Sequence, residues 1–137
     1  MDLEEFLKLL ETKPTSEYIN GKIIPKLMAK GKYSRLQLKL CNSVNDVTKS
    51  EKIAYAFPEL RCSFGIRSIV PDIAVFNWSR IPFATDGEVP NDFPLFPDWT
   101  IEIFSPEQKR GPKIYKRVCL CLSIVLTLGK SQGKNQG

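Results

Sequence analysis

Histidine is absent from the 137-residue sequence, and this absence excludes more functions than any other feature of the composition. Without an imidazole the chain cannot form a Ser-His-Asp triad, a Cys-His dyad or an HExxH zinc site. Acid–base catalysis must therefore come from carboxylates, lysines, tyrosines or bound water. No two of the four cysteines form a CxxC motif, so the usual spacing of a zinc or redox site is also missing.

The sequence also lacks a long hydrophobic run. Its longest apolar stretch, residues 119–128, is interrupted by Ser123 and Thr127 and is shorter than the ~20 residues that span a bilayer. The first five residues are acidic rather than basic, so no secretory signal is visible. These features predict a cytoplasmic protein that is not bound to a membrane.

Positive charge is concentrated at one end of the chain. The formal net charge is +5, but residues 109–137 hold seven of the 20 Lys and Arg residues and no acid. Residues 1–108 therefore hold 13 basic and 15 acidic residues. By charge alone this larger part is not a DNA-binding surface. The whole chain contains 42% hydrophobic and 26% charged residues, a composition that is typical of a globular domain.

Hydrophobic periodicity predicts a mixed α+β domain, because helical and alternating patterns follow one another along the chain. Residues 25–33, rich in Pro, Lys and Gly, predict a loop, and a polar, proline-rich connection spans residues 77–98. The predicted elements are a helix that starts at Asp2, a hairpin over residues 17–24 with an Asn20-Gly21 turn, a helix over about 34–49 with Ser34 as N-cap, and strands over 53–57, 60–66, 68–76 and 99–104.

Three acidic residues lie in or next to predicted apolar strands, where a carboxylate is less easily explained as an ordinary surface group. Asp72 lies at the start of an apolar strand, Glu102 lies within another, and Glu59 follows a proline at the start of a third. Each acid alone is explained as a strand-end carboxylate that caps a backbone N–H or faces water. An Asp and a Glu on neighbouring strands, however, supply the one or two carboxylates that Mg²⁺ takes. A nearby lysine would orient an attacking water or stabilise the developing charge.

Several segments resemble the PD-(D/E)XK nuclease superfamily, and more specifically its Uma-two type of restriction endonuclease-like proteins. The resemblance covers about residues 3–108. Its segments are residues 17–24, 32–36, 58–62, 68–76, 80–83 and 97–106.

The resemblance implies a restriction-endonuclease-like αβββαβ core that cleaves DNA phosphodiester bonds with Mg²⁺ or Mn²⁺ as cofactor. Asp72 and Glu102 would bind the metal ion, and Glu59 would lie near the same site. Glu17 matches an acid of the opening hairpin motif, whose role is less clear. A homodimer is compatible with this family.

The sequence departs from the superfamily pattern at the lysine. The pattern places a lysine two residues after the Glu, and this sequence has Phe104 there. In the Uma-two type the lysine is commonly supplied by the following helix. Lys113 and Lys116 are therefore the candidates for activating water.

The resemblance ends near residue 108, where the composition changes. The family continues with a helix and a strand, whereas residues 109–128 predict one helix and no convincing strand. We therefore divide the chain into a domain over 3–108, incomplete at its C-terminus, and an atypical basic tail over 109–137 whose last residues are predicted to be disordered. A frameshift or truncated gene copy would explain the change, as would a divergent terminal helix.

Three functional interpretations follow from these observations. The first is a Mg²⁺-dependent DNA endonuclease, which the changed tail predicts to be weak or inactive in this chain. The second is a catalytically dead nuclease-fold binding module, which Phe104 and the tail favour. The third is a non-functional truncated remnant that does not fold stably.

Overall fold

The computed structural model describes residues 1–9, 11, 15–26, 31–104 and 122–127. Within these residues there are two α-helices, α1 (Leu3–Lys8) and α2 (Gly31–Thr48), and a 3₁₀-helix at Trp78–Arg80. The predicted α+β class is confirmed. The strands are β1 (Ser16–Ile19), β2 (Lys22–Pro25), β3 (Ala54–Pro58), β4 (Cys62–Phe64), β5 (Arg67–Ile69), β6 (Ile73–Asn77), β7 (Trp99–Phe104) and β8 (Leu122–Thr127).

The strands form two four-stranded sheets. The hairpin sheet has the order β2-β1-β5-β4, and the central sheet has the order β3-β6-β7-β8. All pairs are antiparallel except β7 and β8, which are parallel. The prediction of one strand over 68–76 is wrong, because the chain leaves the hairpin sheet after Ile69 and enters the central sheet at Ile73. Pro71 lies between them and cannot donate a ladder hydrogen bond.

The local signals near the N-terminus predict the structure well. Asp2 caps α1 in a capping box with Glu5, and Asn20 and Gly21 have the positive φ angles, 52° and 76°, that the hairpin turn requires. Helix α2 begins at Gly31, so the prediction of Ser34 as N-cap is wrong. The first turn of α2 is mostly exposed and carries no hydrophobic signal from which its start could be read.

The central sheet is covered on both faces. On one face Ala74 and Phe76 pack in a cluster with Ile69 of the hairpin sheet and Phe93 of the long connection. On the other face Ile73 belongs to a second cluster, which includes residues of α2. Burial on both faces explains why β6 reads as a continuous apolar run.

The side-chain alternation places two acids toward the hairpin sheet. Ala74, on that face, pairs with Thr100, and residues directly opposite on antiparallel strands point to the same side. Asp72 and Glu102 lie two residues further along, so the alternation gives them the same face. The two acids therefore lie together in the packed interface between the hairpin sheet and the central sheet, which we call the seam.

The tail contains a strand, where the sequence predicts only a helix. Strand β8 pairs in parallel with β7 along the whole length of both strands. The prediction of no convincing strand in residues 109–128 is wrong, because periodicity alone does not distinguish a short apolar strand from a buried helix. Strand β7 consequently has a hydrogen-bonded neighbour on each side. Lys113, Lys116 and the predicted disordered end lie outside the described residues.

The buried Arg61 fixes the start of β1. Its guanidinium donates to both carboxylate oxygens of Glu11, to the Ser68 hydroxyl and to the Ser16 carbonyl, each at 2.8 Å. Hydrogen bonding to Arg61 lowers the pKa of Glu11. These contacts hold the strand that carries Glu17. Among the described residues, no helix combines the length and hydrophobicity needed to cross a membrane.

Candidate metal-binding site

The Asp72 and Glu102 carboxylates lie side by side on neighbouring strands. Ile73 pairs with Ile101, and extending that register by one residue puts Asp72 opposite Glu102. The Asp72 N–H donates to Glu102 Oε1 at 3.3 Å, and the Ile103 N–H donates to Asp72 Oδ2 at 2.6 Å. Both residues are buried, at 4% and 1% exposure. This geometry agrees with the expectation that the two acids converge, while their role as metal ligands stays a prediction.

The ammonium group of Lys26 lies against both acids. Its Nζ is 2.8 Å from Asp72 Oδ1 and 3.6 Å from Glu102 Oε1, and it also donates to the Val70 carbonyl. Lys26 follows β2 directly, and its backbone N–H donates to the Thr15 carbonyl at 2.7 Å. The backbone of the hairpin sheet thus positions a buried cation between two acids of the central sheet.

Burial and charge act in opposite directions on Lys26. Burial alone would lower the pKa of Lys26, because a low dielectric disfavours the charged form. The carboxylates of Glu102 and Asp72, followed by those of Glu17 and Glu59, raise it, and the net effect holds the pKa of Lys26 above its ordinary value. The lysine therefore remains an ammonium at neutral pH, and the two acids attract a cation into this space.

Glu17 stabilises the segment between β5 and β6, in which the chain passes from the hairpin sheet to the central sheet. It is 2% exposed, and its Oε2 accepts a 2.7 Å hydrogen bond from the Val70 N–H. The Val70 carbonyl in turn accepts from Lys26. Glu17 thereby fixes the backbone of Val70, which lies two residues before Asp72.

Glu59 lies at the edge of the site and contacts it through Gln37. Gln37 Nε2 donates to Glu59 Oε2 at 3.1 Å and to the Asp72 carbonyl at 2.6 Å. The Glu59 N–H also donates to that carbonyl, at 3.2 Å. Glu59 has a left-handed φ of 51°, a conformation uncommon for a residue other than glycine. Glu59 therefore lies near Asp72, as expected, on the side of α2.

Sequence reasoning missed Lys26 and Gln37 for different reasons. The sequence predicts a loop at Lys26, and no local pattern distinguishes a lysine that long-range strand pairing buries. Gln37 did give a signal: it precedes Cys41 and Val44 at helical spacing on the apolar face of α2. A polar residue on such a face needs a hydrogen-bond partner, which here is the Asp72 backbone.

The chemistry of the two acids fits a hard divalent cation. Among the described residues, no group of three or more His, Cys, Asp or Glu side chains is arranged to hold a metal. Mg²⁺, however, needs only one or two carboxylates, with water and phosphate oxygens as its other ligands. Asp72 and Glu102 supply this number, and the Lys26 ammonium between them demonstrates that their space attracts positive charge.

Comparisons with known proteins give a family and a similar solved structure. A family model described as "Putative restriction endonuclease", Uma2, matches residues 3–118. The chain is also similar to a putative nuclease belonging to DUF820 from Anabaena variabilis, whose crystal structure is known. The two sequences are 48% identical and the structures have a TM-score of 0.86, over 93% of this chain and 74% of that one. The comparison with curated proteins finds no match. The family match extends past residue 108 and includes Lys113 and Lys116.

Proposed function

The chain belongs to the Uma2 family of putative restriction endonucleases, and from this premise we propose that it is a divalent-metal-dependent endonuclease acting on DNA. The observation that carries the proposal is the convergence of the buried Asp72 and Glu102 carboxylates on one point, the Lys26 ammonium. Such a pair is the ligand set that Mg²⁺ or Mn²⁺ needs for phosphodiester hydrolysis. The similar fold of a protein described as a putative nuclease supports the same conclusion.

In the proposed mechanism Asp72 and Glu102 would hold the metal ion. When bound, a divalent cation polarises the phosphoryl oxygen and lowers the pKa of a water molecule. The backbone N–H groups of Asp72 and Ile103 orient the two carboxylates, so that little reorganisation is needed when substrate arrives. Gln37 holds the Asp72 carbonyl and the Glu59 carboxylate in place.

A catalytically dead binding module is the second candidate. Phe104, two residues after Glu102, replaces the strand lysine of the superfamily. Such a module would bind DNA and would not cleave it. A non-functional remnant is the third reading, and cooperative unfolding of the purified chain would count against it. A homodimer and a cytoplasmic location stay predictions from the sequence.

Removal of metal tests the proposed function. Purified full-length chain should nick supercoiled plasmid in Mg²⁺ or Mn²⁺, should stop in excess EDTA, and should recover when the cation is added back, because the two carboxylates alone cannot activate water. Gel electrophoresis over time measures the rate. Asp72→Asn, purified in parallel, reports any contaminating nuclease, and Asp46→Asn on the exposed side of α2 is the matched control.

Two results of that assay would contradict the proposal. Cleavage that continues at the same rate in EDTA would exclude metal dependence. Retardation of DNA in a binding assay without any cleavage in Mg²⁺ or Mn²⁺ would support the dead binding module instead.

A further inference from the structure

We propose that Lys26 is the active-site lysine of this chain: it neutralises Asp72 and Glu102 in the metal-free protein and turns toward the scissile phosphate in the loaded one. The inference rests on the proposed function and adds a residue to it. It also assigns the role to Lys26, on the hairpin-sheet side of the seam, in place of Lys113 and Lys116, the candidates from the sequence.

The first argument is position. Phe104 occupies the place of the strand lysine, so a lysine has to come from another element. Lys26 comes from the end of β2 in the hairpin sheet, and its Nζ touches Asp72 at 2.8 Å and approaches Glu102 at 3.6 Å. A lysine for the reaction has to lie within a few ångströms of the metal ligands, and Lys26 does.

The second argument is charge. Asp72 and Glu102 bring two negative charges and Lys26 one positive, so these three groups together sum to −1. A divalent cation added to them changes the sum of these three groups to +1. When Glu17 and Glu59 are included, because their carboxylates also act on Lys26, the sum changes from −3 to −1. The ammonium of Lys26 is therefore positive charge that the site needs in order to bind a phosphodiester whose negative charge grows in the transition state. Lys26 thus holds the acids together before metal binds and contributes to catalysis afterwards.

The third argument is mobility of the side chain. The Lys26 backbone is fixed by its hydrogen bond to Thr15, but the ammonium stands on a flexible four-carbon stem. Two cations cannot share the space between the same carboxylates, because like charges repel strongly where water is excluded. Lys26 therefore moves its ammonium outward, where it donates N–H hydrogen bonds to a non-bridging phosphate oxygen and keeps its proton throughout.

A purely structural lysine would behave differently on substitution. If Lys26 served only to fill and neutralise the seam, its loss would loosen the acids and weaken metal binding. If it competes with the metal for the acids, its loss strengthens metal binding. Since the same substitution removes a phosphate donor, binding and cleavage should then change in opposite directions.

The test uses Lys26→Met and Lys26→Gln in the full chain, with Lys22→Met on the exposed side of β2 as matched control. Calorimetry of Mn²⁺ binding should give about tenfold tighter affinity for both Lys26 variants than for the parent, and plasmid cleavage should be about 100-fold slower. The metal-free melting temperature should fall in the Lys26 variants and should recover in Mn²⁺. Lys26→Gln retains a donor for the Val70 carbonyl and serves if Lys26→Met does not fold.

Cleavage by either folded Lys26 variant within about threefold of the parent would overturn the inference. Weaker Mn²⁺ binding in both variants would overturn it as well. Failure of the proposed function has a distinct signature, because the parent chain would then neither bind Mn²⁺ nor cleave, and Asp72→Asn would behave identically.

Discussion

Glu102→Gln should reduce plasmid cleavage by at least about 100-fold without unfolding the protein. The amide keeps the size of the side chain and an oxygen that accepts from the Asp72 N–H, now 3.3 Å from Glu102 Oε1. It removes the negative charge at a position that is 1% exposed, and a neutral amide is a poor ligand for Mg²⁺ in a site with so few carboxylates. The rate of conversion of supercoiled to nicked plasmid at saturating Mg²⁺ measures the effect.

Glu51→Gln is the matched control for this experiment. Glu51 is exposed, so the same chemical change there should leave the rate within about twofold of the parent, as for most surface substitutions. Far-ultraviolet circular dichroism establishes that each variant is folded. A folded Glu102→Gln protein with the parent's rate would show that this carboxylate takes no part in cleavage.

Phe93→Ala should destabilise the fold by about 3–5 kcal/mol, the usual cost of removing a buried aromatic side chain. Phe93 is 0% exposed, and its ring lies edge-on to Phe57 and Phe76, with centroid distances of 5.1 and 5.0 Å. Its backbone also exchanges hydrogen bonds with the chain around β4, donating to Arg61 and accepting from Ser63. The long connection is therefore anchored in the core at this residue.

Urea denaturation followed by fluorescence measures the loss in the free energy of unfolding. Phe83→Ala is the control within the same connection, because Phe83 is 42% exposed, and its loss should cost less than about 1 kcal/mol. Equal losses for the two variants would mean that the connection is not held by Phe93.

Features with a local cause could be predicted from the sequence. The Asn20-Gly21 hairpin and the Asp2 capping box follow from residues within one turn of each other. The regular alternation of residues 99–104 predicts strand β7 with the bounds that the structure gives it. The α+β class followed from the order of these elements.

Features that depend on pairing distant segments could not be predicted in the same way. Residues 68–76 are apolar throughout, and only the two-sheet arrangement reveals that Pro71 separates a strand of each sheet. Strand β8 can be recognised from its parallel pairing with β7, which the sequence does not reveal. Lys26 reaches Asp72 across 46 residues of sequence, and no local pattern encodes that contact.

The candidate site depends on the same seam between the sheets. The resemblance to nucleases gave Asp72 and Glu102, but the packing of the hairpin sheet against the central sheet adds Lys26 to them. Helix α2 adds Gln37 from the other side. The candidate site thus consists of two acids on adjacent strands and of supporting groups from elements far away in sequence.

The binding of a divalent cation by Asp72 and Glu102 is the central claim, and anomalous diffraction from a crystal soaked in Mn²⁺ tests it most directly. The account predicts an anomalous peak about 2.1 Å from a carboxylate oxygen of each acid, absent from crystals of Asp72→Asn. A Mn²⁺ ion bound elsewhere, with no peak between these two carboxylates at saturating concentration, would contradict it.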